Sequence, residues 1–376
     1  MLSKFNSDKF RFWSFISMTL LVFVHGYNLD PRFMYPWTEP NEAISWTSFT
    51  EYFFANGILR FRIPMLFAIS GYLYALYDNQ PHAVRVKKRV RTLLLPYVLI
   101  SGISLLLIYL LEYYPPARAA IEASHVAQAD SQGMRLAVHD YRWYDVILRG
   151  ILFPLPYQLW FIRVLFFYCL IYPLIRSCVM GVNSRYIFFV CAILLWFIGV
   201  PPILLEGEGL LFFSLGVWLQ KTNFNLDVPD KKLMPCVWGC IFISAAALKT
   251  WLAFNGRPHL GGATFYTLVV LHKLVIVSGL ITAWFSSNKI VNWCMNQQWF
   301  VWATGFSFMI YALHAPMVAL AIDPFFKLLN YSYGYRMVTF VFLPLTIIAF
   351  IILFGALLRK IAPTIYSTLT GGRGMS

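Results

Sequence analysis

A succession of apolar stretches, each about the length of a bilayer-crossing helix, governs what this chain can fold into. A hydrocarbon core about 30 Å thick takes roughly 20 helical residues. Segments near residues 10–27, 52–77, 92–113, 157–176, 185–204, 208–220, 233–254, 264–286, 299–322 and 336–358 fit that template, the sixth being the shortest. Of the 376 residues, 59% are hydrophobic and only 12% charged, and a soluble globular domain has a charged fraction near a quarter. The expected fold class is therefore all-α, a polytopic membrane helix bundle with about ten spans.

A formal net charge of +14 would point to nucleic acid in a soluble chain, but basic residues also collect in the cytoplasmic loops of membrane proteins. Membrane lipid is thus the expected environment, and nucleic acid is not an expected partner. An N-terminus in the cytoplasm puts Lys4, Lys9, Arg11, the run Arg85, Lys87, Lys88, Arg89 and Arg91, then Arg176, Arg185, Lys221, Lys231, Lys232, Lys289, Arg359, Lys360 and Arg373 inside. An even number of spans returns the C-terminus to the same side. The first apolar segment lacks a small-residue cleavage site and is expected to remain as the first helix. One membrane domain over 1–363 is expected, with a large outer loop at 115–145 that could form a short helical lid and a flexible tail over 364–376. The six cysteines lie in or beside apolar segments, which suits core packing and gives no zinc spacing. No metal is expected.

Arg60, Arg62, Arg163, Lys249 and Lys273 fall within proposed spans, and no carboxylate lies deep in any of them. A charge at the bilayer centre costs at least about 2.5 kcal/mol, so such residues face a cavity and have a partner. An anionic ligand would supply the missing counter-charge. Counted along their helices, His25, Arg62, Arg163, His272, Lys273 and His314 all come out in the outer half, which suggests one polar chamber. Histidine is the side chain best suited to take a proton from a hydroxyl near neutral pH, so His25 is a candidate general base. Arg62 and Arg163 are candidates to hold an oxyanion or phosphate. The bland alternative for His25 is a hydrogen bond between packed helices. Trp160 could line the chamber, although interfacial aromatics are ordinary, and His314 fits either a second polar wall or core packing. In "YRWYD" (141–145), Arg142 and Trp143 could bind and stack on sugar rings, against the alternative of a solvated loop.

Several stretches together carry a resemblance: "LLVFVHGYN" closing the first segment, "RFRIPMLFAISGYL", "VKKRVRTLLLPY", "QLWFIRVLFFY" and "FMIYALHAPMV". In this order, through nearly the whole chain, they resemble the acyltransferase 3 family of ten-helix bacterial membrane enzymes. The resemblance implies transfer of an acyl group, usually acetyl from acetyl-CoA, to a hydroxyl of a surface or exported carbohydrate, with the enzyme in the bacterial inner membrane. By motif, His25 matches the histidine considered catalytic and Arg62 the arginine of the second segment. Lys88 and Arg91 match a basic pair on the cytoplasmic loop. Many members carry a basic residue eleven positions before the histidine, where this chain has Ser14; Arg11 lies one turn earlier. The nucleotide end of a cytoplasmic, polyanionic acyl-CoA would meet Lys88, Arg89 and Arg91, while topology alone would also make that loop basic.

An O-acyltransferase, most simply an O-acetyltransferase, is the leading expectation. Its rivals are a transporter that moves a glycan or acyl intermediate, since intramembrane cations also mark anion pathways, and a sensor bundle. No symmetric halves of the kind transporters show stand out.

Overall fold

The structure, a computed structural model, describes residues 2–27, 44–124, 137–199 and 203–375. Parts of two predicted features, the segment 28–43 after the first span and 125–136 of the outer loop, lie outside the described residues.

Helix α1 (Lys4–His25) begins where the Ser3 hydroxyl accepts from the Asn6 N–H at 3.1 Å, a side-chain cap on a helix start. α2 (Trp46–Tyr52) runs through a π turn (Phe53–Gly57) and a 3-10 turn (Ile58–Phe61) into α3 (Arg62–Leu76). α4 (His82–Arg89) passes through a second π turn (Val90–Leu94) into α5 (Leu95–Leu111), with α6 (Pro115–Ser124) and α7 (Trp143–Ile151) flanking the outer loop. Then come α8 (Trp160–Leu170), α9 (Tyr172–Met180), α10 (Val182–Ile198) and α11 (Gly207–Lys221). The chain continues as α12 (Pro235–Leu260), α13 (Ala263–Ser286), α14 (Asn288–Met295), α15 (Gln298–Thr304), α16 (Ser307–Leu328), α17 (Tyr335–Ile361) and α18 (Pro363–Thr370). No strand occurs among the described residues.

Each of the ten predicted segments overlaps a helix. Among the described residues, six helical stretches are long and apolar enough to cross a membrane: Trp46–Leu76, His82–Leu111, Lys231–Leu260, Ala263–Ser286, Ser307–Leu328 and Tyr335–Ile361. A seventh is added if Tyr157–Leu170 and Tyr172–Met180, bent by 66°, form one broken span. The other predicted segments are helices with less span character. α1 carries Lys4, Asp8, Lys9 and Arg11 in its first turns, while α10 has 17 residues and α11 has 15. The protein is a multi-pass membrane protein.

Two apolar cores meet along α1. One gathers Phe10, Trp13, Val22, Phe242, Val275, Phe306 and Ile351; the other gathers Leu21, Phe67, Tyr168, Phe213 and Tyr311. Close approach of α3 and α11 anchors the second core. A Cβ on Gly71 would sit 2.0 Å from the Phe213 carbonyl oxygen, and one on Gly216 2.0 Å from that of Ala68. Small residues let backbones meet in this way inside a membrane. At the end of α3, Asp78 bridges Arg85 (3.0 Å), Arg176 (2.9 Å) and Lys221 (2.5 Å), joining α4, α9 and α11. Burial pushes its carboxyl up, but Lys221, Tyr172 and Arg176 outweigh that and hold it below the usual carboxylate range.

The residues from Thr364 depart from the expected flexible tail. They belong to α18, in which Tyr366 is fully buried and donates to the Gly305 carbonyl at 3.1 Å. Pro96 has no N–H to offer the Thr92 carbonyl four residues earlier, and Arg373 reaches that carbonyl at 2.7 Å while covering the Phe308 ring at 4.8 Å. A short polar sequence with glycines concealed this, because the partner groups lie in distant helices.

Substituting Gly71 or Gly216 by Ala is expected to cost about 1–3 kcal/mol or more, since a backbone oxygen, not a pliable side chain, must yield. Gly102→Ala, whose Cβ would meet nothing within 4 Å, is expected to be neutral. Thermal unfolding of the purified variants in one detergent checks the contrast.

Candidate active site

His25 is the last residue of α1. Phe10, fifteen residues earlier and thus about 22 Å away along the helix, packs against Tyr72 near the end of α3. His25 therefore sits at the opposite end of the bundle from the basic helix α4. The next residue, Gly26, leaves room for Pro344 of α17, whose Cγ would lie 2.9 Å from an added Cβ.

Two side chains meet the imidazole, and a cation stands within electrostatic range. The Tyr157 hydroxyl is hydrogen-bonded to His25 Nδ1, the two ring centroids 5.2 Å apart. The His314 ring lies 5.0 Å from that of His25, tilted by 41°. The Arg62 guanidinium acts electrostatically on His25, Tyr157 and His314. Arg62 is buried and donates to the Leu59 carbonyl at 2.6 Å, and its Nε has no partner among the described residues.

A backbone defect explains how Tyr157 arrives there. Pro316, inside α16, withholds the N–H that would pair with the Ala312 carbonyl. Gln158 Nε2 donates to that carbonyl at 2.9 Å, and the Tyr311 hydroxyl donates back to the Gln158 carbonyl at 2.6 Å. Residues 157 and 158 are thereby clamped to α16, and Tyr157 is set over His25.

A second polar group adjoins the first. Asn56, in the π turn, accepts Arg60 on its side chain and Lys249 on its carbonyl. Lys249 Nζ lies 3.3 Å from His272 Nδ1. Lys273 stands over the Trp196 ring at 4.5 Å, and Trp196 Nε1 donates to Glu208 at 2.9 Å. Glu208 acts electrostatically on Lys273, Arg60 and Arg62. The expectation that no carboxylate meets these cations is therefore corrected. Glu208 stands in the first turn of α11, where the sequence places it at a span boundary and the fold turns it inward.

The expected convergence of Arg62 and Arg163 also divides. Arg163 donates to the Ile203 carbonyl at 2.6 Å and faces the Phe153 ring at 5.8 Å, and its charge acts on Tyr97 and Tyr311. Trp160 packs near Phe67 and Phe161, 6.3 Å from each. Arg142 is exposed and donates to the Tyr144 hydroxyl at 2.9 Å, and Trp143 is 76% exposed, so neither faces His25. Of the basic loop, Lys88 and Arg91 are exposed, whereas Arg89 is half-buried over the Tyr74 ring at 5.5 Å. Arg11 binds Thr304 Oγ1 at 2.6 Å and the Val301 carbonyl at 2.9 Å. It lines an open cavity of about 530 Å³ with Asn296, Trp302 and Arg359, at the α4 end of the bundle and away from His25. Among the described residues no cluster of His, Cys, Asp or Glu could hold a metal.

Comparison with known proteins bears on what these groups do. A family model described as an acyltransferase domain matches residues 9–356. The chain belongs to the acyltransferase 3 family. It is also 25% identical, over 328 residues, to the succinoglycan biosynthesis protein ExoH of Rhizobium meliloti (strain 1021), which covers 85% of this chain and 81% of that protein. No solved structure matches. In this acyltransferase 3 chain the fold thus brings Tyr157 and His314 to the imidazole of His25, with the Arg62 guanidinium in electrostatic range.

Sequence reasoning missed Tyr157, Gln158, Asn56 and Glu208. Pro316 signals a vacant acceptor at Ala312, but nothing local names Gln158 as the donor. Gln158→Leu is expected to destabilise the protein by about 1–3 kcal/mol by stranding the Ala312 carbonyl. Adding Pro316→Ala, which restores an N–H to that carbonyl, should recover most of the loss. Melting temperatures of the single and double variants measure this.

Proposed function

We propose that this chain is an inner-membrane O-acyltransferase that carries an acyl group, most simply acetyl, from cytoplasmic acyl-CoA to a hydroxyl of a carbohydrate on the far side. The observation that carries it is the Tyr157–His25–His314 cluster, with Arg62 in electrostatic reach, at the end of the bundle opposite a basic loop. Ten spans with both termini in the cytoplasm would put that loop where acyl-CoA is made and the cluster toward the acceptor.

In this reading His25 is the imidazole that reacts, and Tyr157 fixes its ring through Nδ1. Arg62 is the fixed cation for the negative charge that develops on the thioester oxygen. Such charge is best stabilised by donors already in place. Lys88 and Arg91, exposed on the basic loop, meet the phosphates of the donor, with Arg89 braced against Tyr74. A relative named for succinoglycan biosynthesis supports a carbohydrate as acceptor. Arg163, Trp160, Arg142 and Trp143 would serve the acceptor's approach rather than the reacting atoms.

His25→Ala is expected to abolish transfer of labelled acetyl from acetyl-CoA to surface polysaccharide prepared from cells lacking the gene, with the melting temperature retained. Transfer at the parent rate would refute the role of His25. Replacing Lys88 and Arg91 together by Gln is expected to raise the KM for acetyl-CoA about tenfold, at about 1.4 kcal/mol per decade, and to leave the dependence on acceptor unchanged. A donor titration at fixed acceptor reads this directly.

A further inference from the structure

His314 is fully buried in α16. Its Nδ1 lies 2.9 Å from the carbonyl oxygen of Ile310 and 2.9 Å from that of Tyr311. Carbonyl oxygens only accept, so Nδ1 carries the hydrogen and Nε2 is left with its lone pair. Nε2 has no hydrogen-bond partner among the described residues. A buried acceptor without a donor is costly to keep, and this one belongs to the ring 5.0 Å from that of His25. Gln158 and Tyr311, which brace the same turn of α16, spend their own donors on backbone carbonyls. The geometry is that of a base held in one tautomer and waiting for a hydroxyl.

On this ground, and resting on the acyltransferase reading above, we propose that the two histidines divide the reaction, with His25 the nucleophile that carries the acyl group and His314 the base that takes the acceptor's proton. In the first half, His25 Nε2 attacks the thioester carbonyl carbon, the C–S bond breaks, and the thiolate of CoA leaves with the electron pair. This half requires the tautomer in which His25 Nδ1 carries the ring hydrogen and donates it to the Tyr157 oxygen. In the second half, the sugar hydroxyl gives its proton to His314 Nε2 as its oxygen attacks the acyl carbon. The C–N bond then breaks and its electrons return to His25 Nε2. His314 then gives its proton up to solvent, and the thiolate released in the first half takes one from solvent, so that thioester and alcohol become ester and thiol. A single imidazole could not do both parts, because an acylated Nε2 has no lone pair with which to accept a proton.

The test separates the halves, using full-length purified enzyme and acetyl-CoA labelled in the acetyl group. Without acceptor, the parent protein should release one equivalent of CoA and hold the label covalently. His314→Asn places an amide N–H where Nδ1 stands, so the bonds to Ile310 and Tyr311 can persist while the Nε2 lone pair is lost. This variant should still become labelled but pass the label to surface polysaccharide about 100-fold more slowly, the size of a lost general base. His314→Gln, whose amide oxygen can accept a hydrogen bond near the Nε2 position but cannot hold a proton, should stay as slow as His314→Asn. His25→Asn should neither release CoA nor take up label. The proposal is overturned if the parent enzyme transfers acetyl without ever holding label, which would mean direct transfer. It is equally overturned if His314→Asn passes its label at the parent rate, or if it loses both halves together while melting like the parent. Failure of the parent to acetylate any polysaccharide while still holding label would count against the acceptor class above, and leave the division of labour standing.

Discussion

The hydrogen bond from Gln158 to the Ala312 carbonyl is the constraint on which the active end of this protein turns. A proline within a helix leaves an acceptor unpaired, and in a membrane there is no bulk water to satisfy it. The vacancy in α16 therefore becomes an attachment point for the chain entering α8, and it fixes where Tyr157 stands. Through Tyr157 it fixes the ring of His25, and on the adjoining turn of the same helix His314 faces that ring. The basic end of the bundle repeats the device. Pro96 leaves the Thr92 carbonyl short of a donor, and Arg373 brings the last ordered segment against it. Both ends of the molecule are thus assembled from defects in helices that the rest of the chain corrects.

Charge is handled in a related way. Arg60, Arg62, Lys249 and Lys273 are not lone cations awaiting a ligand. Asn56 supplies two acceptors, and Glu208 offsets part of the positive charge. Buried charges persist when they are paired and hydrogen-bonded, and this network supplies part of that pairing without consuming His25 or His314. An excess of positive charge nevertheless remains near His25, which would suit the proposed step that generates negative charge on oxygen.

The longer helices are legible in the sequence because a bilayer demands a minimum length and an apolar composition of each span, while α1, α10 and α11 meet that demand less fully. His25 and Arg62 were legible as polar interruptions of apolar runs, and His314 less sharply, since a buried histidine also suits ordinary packing. Arg163 shows the limit of such reasoning. Counting residues along a helix gives depth but not azimuth, and Arg163 turns to Ile203 instead of His25. Tyr157 and Gln158 were invisible because their importance comes from a helix more than 150 residues away. Glu208 is hard to single out because it lies at a span boundary, and a first-turn residue can point inward as readily as outward. α18 was hidden because its anchors, Gly305 and Thr92, belong to other elements.

The docking of Arg373 on Thr92 has a bearing on biogenesis. Helices that enter the bilayer one after another leave the basic loop in place early, yet the guanidinium that completes its backbone emerges only after α17 has been threaded. Until then, the Thr92 carbonyl has no guanidinium to accept from. Order of synthesis thereby makes the contact of Arg373 with the turn before α5 one of the last in the bundle to close.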